Sequence, residues 1–155
     1  MPENTLDFPT CFTEEELAEL EGSKLKSVAE RKKESLVKKY KTLTERIPEY
    51  AQFSLDDYLY CHHISLSRAF GLDIGDKEET CLVPYADMLN HKNPMEARWS
   101  FNNKLNGYVM EAVQNIPFGA PIHDSYGLGR ETSTLFMNYG FVLHPNDDDD
   151  KEIYL

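Results

Sequence analysis

Cysteine is scarce in this chain: Cys11, Cys61 and Cys81 are the only three among 155 residues. An odd count without ligand-like spacing argues against a disulfide framework and against a zinc site, which leaves reduced thiols. Long apolar runs are also absent. No uncharged stretch approaches the length that spans a bilayer, and Met1-Pro2-Glu3-Asn4 shows no basic region leading into an apolar one. These readings predict a soluble protein of the cytoplasm or nucleus, without a plastid leader and without a membrane partner. Basic residues are outnumbered, 16 Lys and Arg against 27 Asp and Glu, giving a formal net charge of −11. That balance disfavours nucleic acid as a partner and suits a basic peptide.

At this length a single domain is the default. The chain divides near Gly71 into a helical first half and a second half of short strands and turns. Thr13-Glu14-Glu15-Glu16 has the capping-box pattern, and Gly22 offers a stop. Leu25, Val28, Leu36, Tyr40, Leu43 and Ile47 are spaced by threes and fours, which predicts one face of a longer helix ending before Pro48. Its interleaved lysines and glutamates read as a solvated face. Ser54-Leu55-Asp56-Asp57 starts a further helix running towards Ser67-Arg68, and the adjacent His62 and His63 on it point in different directions and read as structural.

After a polar stretch at Asp73 to Glu79, Thr80-Cys81-Leu82-Val83 reads as a strand. Pro84 is expected to open a short helical turn bearing Asp87 and Asn90. Asn106-Gly107 signals a hairpin between Trp99-Ser100-Phe101 and Tyr108-Val109-Met110. Ile122 is assigned to one more strand, and Thr132 to Asn138 to a helix closed by Gly140. Asp147-Asp148-Asp149-Asp150 lacks the alternating ligands and glycine of a calcium loop and reads as a solvated tail.

Two kinds of motif carry chemistry. The run Leu82-Val83-Pro84-Tyr85-Ala86-Asp87-Met88-Leu89-Asn90-His91 ends in an Asn-His pair, whose adjacent polar groups a turn can aim at one ligand. Taken alone, a His after an apolar stretch reads as a structural residue. Downstream stand Ser125-Tyr126-Gly127 and Asn138-Tyr139-Gly140-Phe141. Each glycine frees the backbone to turn or to approach a ligand, so that the preceding tyrosine can be pushed into a site.

With Ser67-Arg68-Ala69-Phe70, Ile116-Pro117-Phe118-Gly119 and His144-Pro145-Asn146-Asp147, these ordered motifs resemble SET-domain protein methyltransferases of the Rubisco large-subunit lysine methyltransferase type. The resemblance covers nearly the whole chain. It implies an α+β fold: a helical SET-insertion segment over residues 1–70, the C-terminal half of a short-stranded SET core over 71–146, and an acidic tail over 147–155. In such a fold the Asn-His and Tyr-Gly segments meet in a pseudoknot-like arrangement. The family's N-terminal SET half, with its glycine-containing cofactor segment, and its C-terminal substrate-binding domain have no counterpart here. Gly127-Leu128-Gly129 cannot stand in for that segment. The resemblance therefore implies a partial SET fold, with those missing parts as expected partners.

The chemistry implied is an SN2 transfer of methyl from S-adenosyl-L-methionine to a lysine amine of a protein substrate, without a metal. Carried over by motif, Tyr126 is the principal catalytic tyrosine and Tyr139 its companion. Asn90, His91, Ser67 and Phe141 match cofactor-binding positions, and Arg68, Phe70 and Asp87 match the acceptor pocket. Outside the family context Tyr139 and Phe141 read as core aromatics, Arg68 as a surface cation and Asp87 as a helix-start residue.

Phe70 and Ala86 resemble the lysine methylators, since relatives that methylate histidine carry Asn and Trp there. An apolar Phe70 suits a lysine stem and penalises an unpaired imidazole. Two positions depart from the family: Asp124, where an apolar residue is usual, and Thr132, usually Asn, which can still cap a helix. The runner-up reading is a non-catalytic SET-derived scaffold, and a lesser one is a histidine methyltransferase.

Overall fold

Thr13 starts the first helix by the reciprocal bonds its sequence predicts. Its hydroxyl accepts from the Glu16 N–H at 3.2 Å while the Glu16 carboxylate accepts from the Thr13 N–H at 2.8 Å. In the computed structural model, which describes residues 7–146, this helix is α1, Glu14–Ala18. The expected acidic tail and its aspartate run lie outside the described residues. Those that are described form two units, 7–67 with 130–146, and 68–129.

The first unit is helical. Gly22 takes a positive φ of 81° before Ser23 caps α2, Lys24–Arg46. On the expected face Leu36 is buried, Leu25, Val28, Tyr40 and Leu43 are half-buried, and Ile47 is exposed beyond the helix end. Ala29, small enough to admit close approach, is fully buried and shares a core with Leu17 and Met137. Each large apolar side chain so buried contributes about 1.5–3 kcal/mol. Ser54 and Asp57 exchange capping bonds at the start of α3, Leu55–Arg68, which ends at Arg68 as expected.

His63 on α3 is 2% exposed, stacks on Phe8 at 4.4 Å and shares a 2.7 Å hydrogen bond with Thr10 through Nε2. The structural reading of this histidine fits that setting. Burial, helped by His62 and Lys32, lowers its pKa to about 4. The unfolded chain takes up a proton near 6.5, which the folded chain refuses until about 4, so stability is full above 6.5 and falls as the pH drops through that window. Thermal melts between pH 7 and pH 5 should show a falling Tm, and His63→Phe should flatten that part of the slope. An unchanged slope in the variant would assign the effect elsewhere.

Helix α4, Thr132–Tyr139, closes on Gly140 in the left-handed conformation, as its sequence predicts. Thr132, however, is not the cap. Glu131 occupies that position without a capping bond, and the Thr132 hydroxyl instead donates to the Leu143 carbonyl and accepts from the Asn146 amide. It ties the segment after the helix back to the helix start.

The second unit consists of three two-stranded pairings. Strand β1, Ala69–Ile74, pairs antiparallel with β2, Lys77–Leu82, around a turn in which Gly75 has φ 63°. The polar stretch Asp73 to Glu79 is therefore the turn and flanks of a hairpin. Its charges are tolerated because β2 faces solvent along most of its length. Strands β4, Ala97–Asn102, and β5, Gly107–Ala112, form the expected second hairpin. Its loop spans 103–106, held by the Asn102 side chain accepting from the Lys104 and Leu105 N–H groups.

The parallel pair β3, Asn90–His91, and β6, His123–Asp124, places Asn90 opposite His123 and His91 opposite Asp124. Asn90 thus lies on a strand rather than on the helical turn, because that turn, Ala86–Met88, ends at Leu89. Ile122, expected within the last strand, precedes β6 and is 47% exposed. Among the described residues no helix is long and apolar enough to cross a membrane.

Candidate functional site

Asn90, His91 and Tyr126 come together in the second unit. The Tyr126 main-chain N–H donates to His91 Nδ1 at 3.0 Å, and the two rings lie 5.3 Å apart. Accepting at Nδ1 leaves the proton of a neutral His91 on Nε2. The Tyr126 hydroxyl donates to the Leu89 carbonyl at 2.7 Å. Spending its proton there leaves its oxygen lone pairs as acceptors. Asn90 is exposed, and its carboxamide makes no side-chain hydrogen bond among the described residues. It is therefore available to a polar ligand.

The loop before Tyr126 is held by short bonds. The Asp124 carboxylate accepts from the Ser125 N–H at 2.6 Å, and the Ser125 hydroxyl donates to Asn93 Oδ1 at 2.8 Å. Asp124, the departure from the family pattern, is 3% exposed. Burial raises its carboxyl pKa, and bonds from the Ser125 N–H and the Trp99 indole oppose that rise. Nearby, burial and the Asp124 charge push the Tyr108 phenol up to about 12.

Arg68, Phe70 and Asp87, matched by motif to an acceptor pocket, fall into two groups in the same unit. Arg68 Nη1 donates to the Asp87 carbonyl at 2.9 Å and approaches its Oδ2 at 3.4 Å. Asp87 is therefore a partly neutralised anion fixed by its neighbour. The Phe70 ring stands edge-on to Trp99 at 5.2 Å and to Tyr108 at 5.6 Å, so its aromatic neighbours come from the second hairpin. Tyr85, two residues before Asp87, holds a positive φ of 73° and is 88% exposed.

The remaining residues picked out by motif, Tyr139, Phe141 and Ser67, belong to the first unit. Tyr139 ends α4 and its ring lies 6.3 Å from that of Phe141, tilted by 51°. Ser67, near the end of α3, directs its hydroxyl to the Ile64 carbonyl. The sequence reading passed over Glu96, which is buried beside β6. Its only local signal was the Lys92 four residues earlier, a spacing that carries no meaning outside a helix.

No protein-family model matches the chain. Among curated proteins it is 29% identical to the [fructose-bisphosphate aldolase]-lysine N-methyltransferase of Arabidopsis thaliana, over 92% of this chain and 32% of that protein. It is 27% identical to the ribulose-1,5-bisphosphate carboxylase/oxygenase large subunit N-methyltransferase of Pisum sativum, over 96% of this chain and 32% of that protein. The chain thus spans about a third of the length of these relatives.

Among solved structures, the SET domain of LSMT bound to lysine and AdoHcy matches with a TM-score of 0.75 and 25% identity, covering 92% of this chain and 35% of that one. Rubisco LSMT bound to AdoMet matches with a TM-score of 0.71 and 26% identity. The class is therefore the SET fold. Within it, the likeness in both sequence and structure is to the Rubisco large-subunit methyltransferase type.

Proposed function

We propose that this chain carries part of the site of a protein-lysine N-methyltransferase that uses S-adenosyl-L-methionine. The observation that carries the reading is the Leu89–His91–Tyr126 constellation, in which main-chain and imidazole contacts orient a phenol oxygen as an acceptor. When bound, the cofactor supplies an electrophilic methyl group on a sulfonium. Asn90 offers both a donor and an acceptor to hold it, and His91 stands at the adjacent strand position; the motif resemblance assigns Phe141 to the adenine.

Tyr126 contributes position and polarity. Its oxygen accepts weak C–H contacts from a polarised methyl and can orient an incoming amine, while a phenol that keeps its proton is too poor a nucleophile to take the methyl itself. The motif resemblance assigns Tyr139 as its companion. A lysine ammonium, with a reference pKa of about 10.4, has no lone pair and must lose its proton before it can react. Arg68, Phe70 and Asp87 are assigned to the wall of the acceptor pocket, and apolar Phe70 favours lysine over histidine because it leaves an imidazole N–H unpaired.

Calorimetry with S-adenosylmethionine tests the reading. The titration uses the chain alone and the chain joined to the SET segments that its relatives carry outside the aligned region. Binding is expected at least in the joined form, with label then transferred to a lysine peptide and not to a matched histidine peptide. Absence of binding in both forms would favour a scaffold role, and transfer to histidine alone would reverse the acceptor assignment.

A further inference from the structure

Glu96 is 9% exposed, yet it carries a charge and has no part in the chemistry described above. Its carboxylate accepts from Lys92 Nζ at 2.5 Å, from the His123 ring Nδ1 at 2.8 Å and from the His123 main-chain N–H at 3.2 Å. The main chain reinforces this grip. The Glu96 N–H donates to the His123 carbonyl at 3.1 Å, and the Glu96 carbonyl accepts from the Val113 N–H at 2.9 Å. Lys92 first, then His123, holds the carboxyl down to about 2. The group is therefore ionised at neutral pH, and the proton in the 2.8 Å contact sits on His123 Nδ1. A buried carboxylate would be costly with one donor, and three donors offset its desolvation.

The place of this clamp gives it meaning. His123 opens β6, which has only two residues and few ladder bonds of its own to fix its register on β3. Three residues further on stands Tyr126, bonded through its N–H to His91 of β3. A slip at His123 would carry the Tyr126 hydroxyl off the Leu89 carbonyl. We propose that Glu96 is a positioning residue for Tyr126: by gripping His123 through both main chain and ring, it sets β6 on β3 and so fixes the phenol oxygen beside His91. The inference rests on the methyl-transfer reading for its consequence in catalysis, but not for the clamp itself.

Two substitutions separate the clamp from the charge. Glu96→Gln keeps a carbonyl oxygen for both His123 donors, whereas Glu96→Ala removes it. In the full chain, the Tyr126 amide should exchange with solvent about tenfold faster in Glu96→Ala and near the parent rate in Glu96→Gln. In the form that binds S-adenosylmethionine, kcat should fall about tenfold in Glu96→Ala with KM for the cofactor within about twofold, and return in Glu96→Gln.

Unchanged Tyr126 exchange in Glu96→Ala overturns the proposal. So does an equal loss in both variants, which would mark the charge and not the clamp. If Glu96→Ala fails to fold, His123→Phe, which removes only the ring bond, must shift Tyr126 exchange in the same direction, and no shift sinks the idea. A parent protein without transfer activity would defeat the lysine methyltransferase reading, while amide exchange would still decide the clamp.

Discussion

Replacing Tyr126 by phenylalanine should lower methyl transfer by about a hundredfold, the scale on which loss of exact placement at a reacting centre is felt. The hydroxyl sits 2.7 Å from the Leu89 carbonyl and gives up its proton there, so its oxygen serves only as an acceptor. Phenylalanine keeps the ring, its 5.3 Å approach to His91 and the main-chain bond to His91 Nδ1. It removes one oxygen. Cofactor affinity should therefore change by less than about threefold, because a contact made mainly in the transition state affects kcat rather than ground-state binding. Single-turnover transfer measured beside calorimetry separates the two. A parallel loss of affinity and rate would make Tyr126 a binding residue, and an unchanged rate would remove it from the chemistry.

The parts of this arrangement that were legible in the sequence are those with local causes. Thr13 with Glu16, Ser54 with Asp57, the α2 stripe and the Gly140 stop each act within a few residues, and each appears in the structure where the sequence puts it. The Asn-His and Tyr-Gly segments were found as motifs. Their pairing through a two-residue parallel ladder, by contrast, depends on residues 33 positions apart, for which no periodicity exists. The sequence pattern therefore extends the helical turn as far as Asn90, since nothing local distinguishes the end of the Ala86–Met88 turn from the start of β3.

The hairpin through Asp73 to Glu79 was hidden by its charge. An edge strand that faces solvent needs no apolar alternation, so Lys77, Glu78 and Glu79 look like loop. Thr132 failed as a cap because the Leu143 carbonyl and the Asn146 amide, both beyond the helix, compete for its hydroxyl. Glu96 and Asp124 show the same limit at the site itself. A buried carboxylate is recognisable only once its donors are in place, and those of Glu96 come from two separate segments.

Gly140→Ala should be the most damaging single-methyl change in the first unit. Gly140 holds φ 77° and donates its N–H to the Phe136 carbonyl at 3.0 Å, ending α4. An alanine there meets the left-handed penalty of about 1–2 kcal/mol. It also meets a wall, since a Cβ would stand 3.0 Å from the Asp7 carbonyl oxygen and 3.4 Å from its carbon. Main chain cannot swing aside as a flexible side chain can. Gly22 provides the control, with φ 81° but nothing within 4 Å of the added carbon. Gly22→Ala should cost only the conformational part, about 1 kcal/mol, and Gly140→Ala about 2–3 kcal/mol, or about 4–12 °C in Tm. The difference between the two melts isolates the close approach, and equal shifts would show that Asp7 yields. Because Tyr139 and Phe141 flank this glycine, a displaced cap should also weaken S-adenosylmethionine binding in Gly140→Ala and leave it intact in Gly22→Ala.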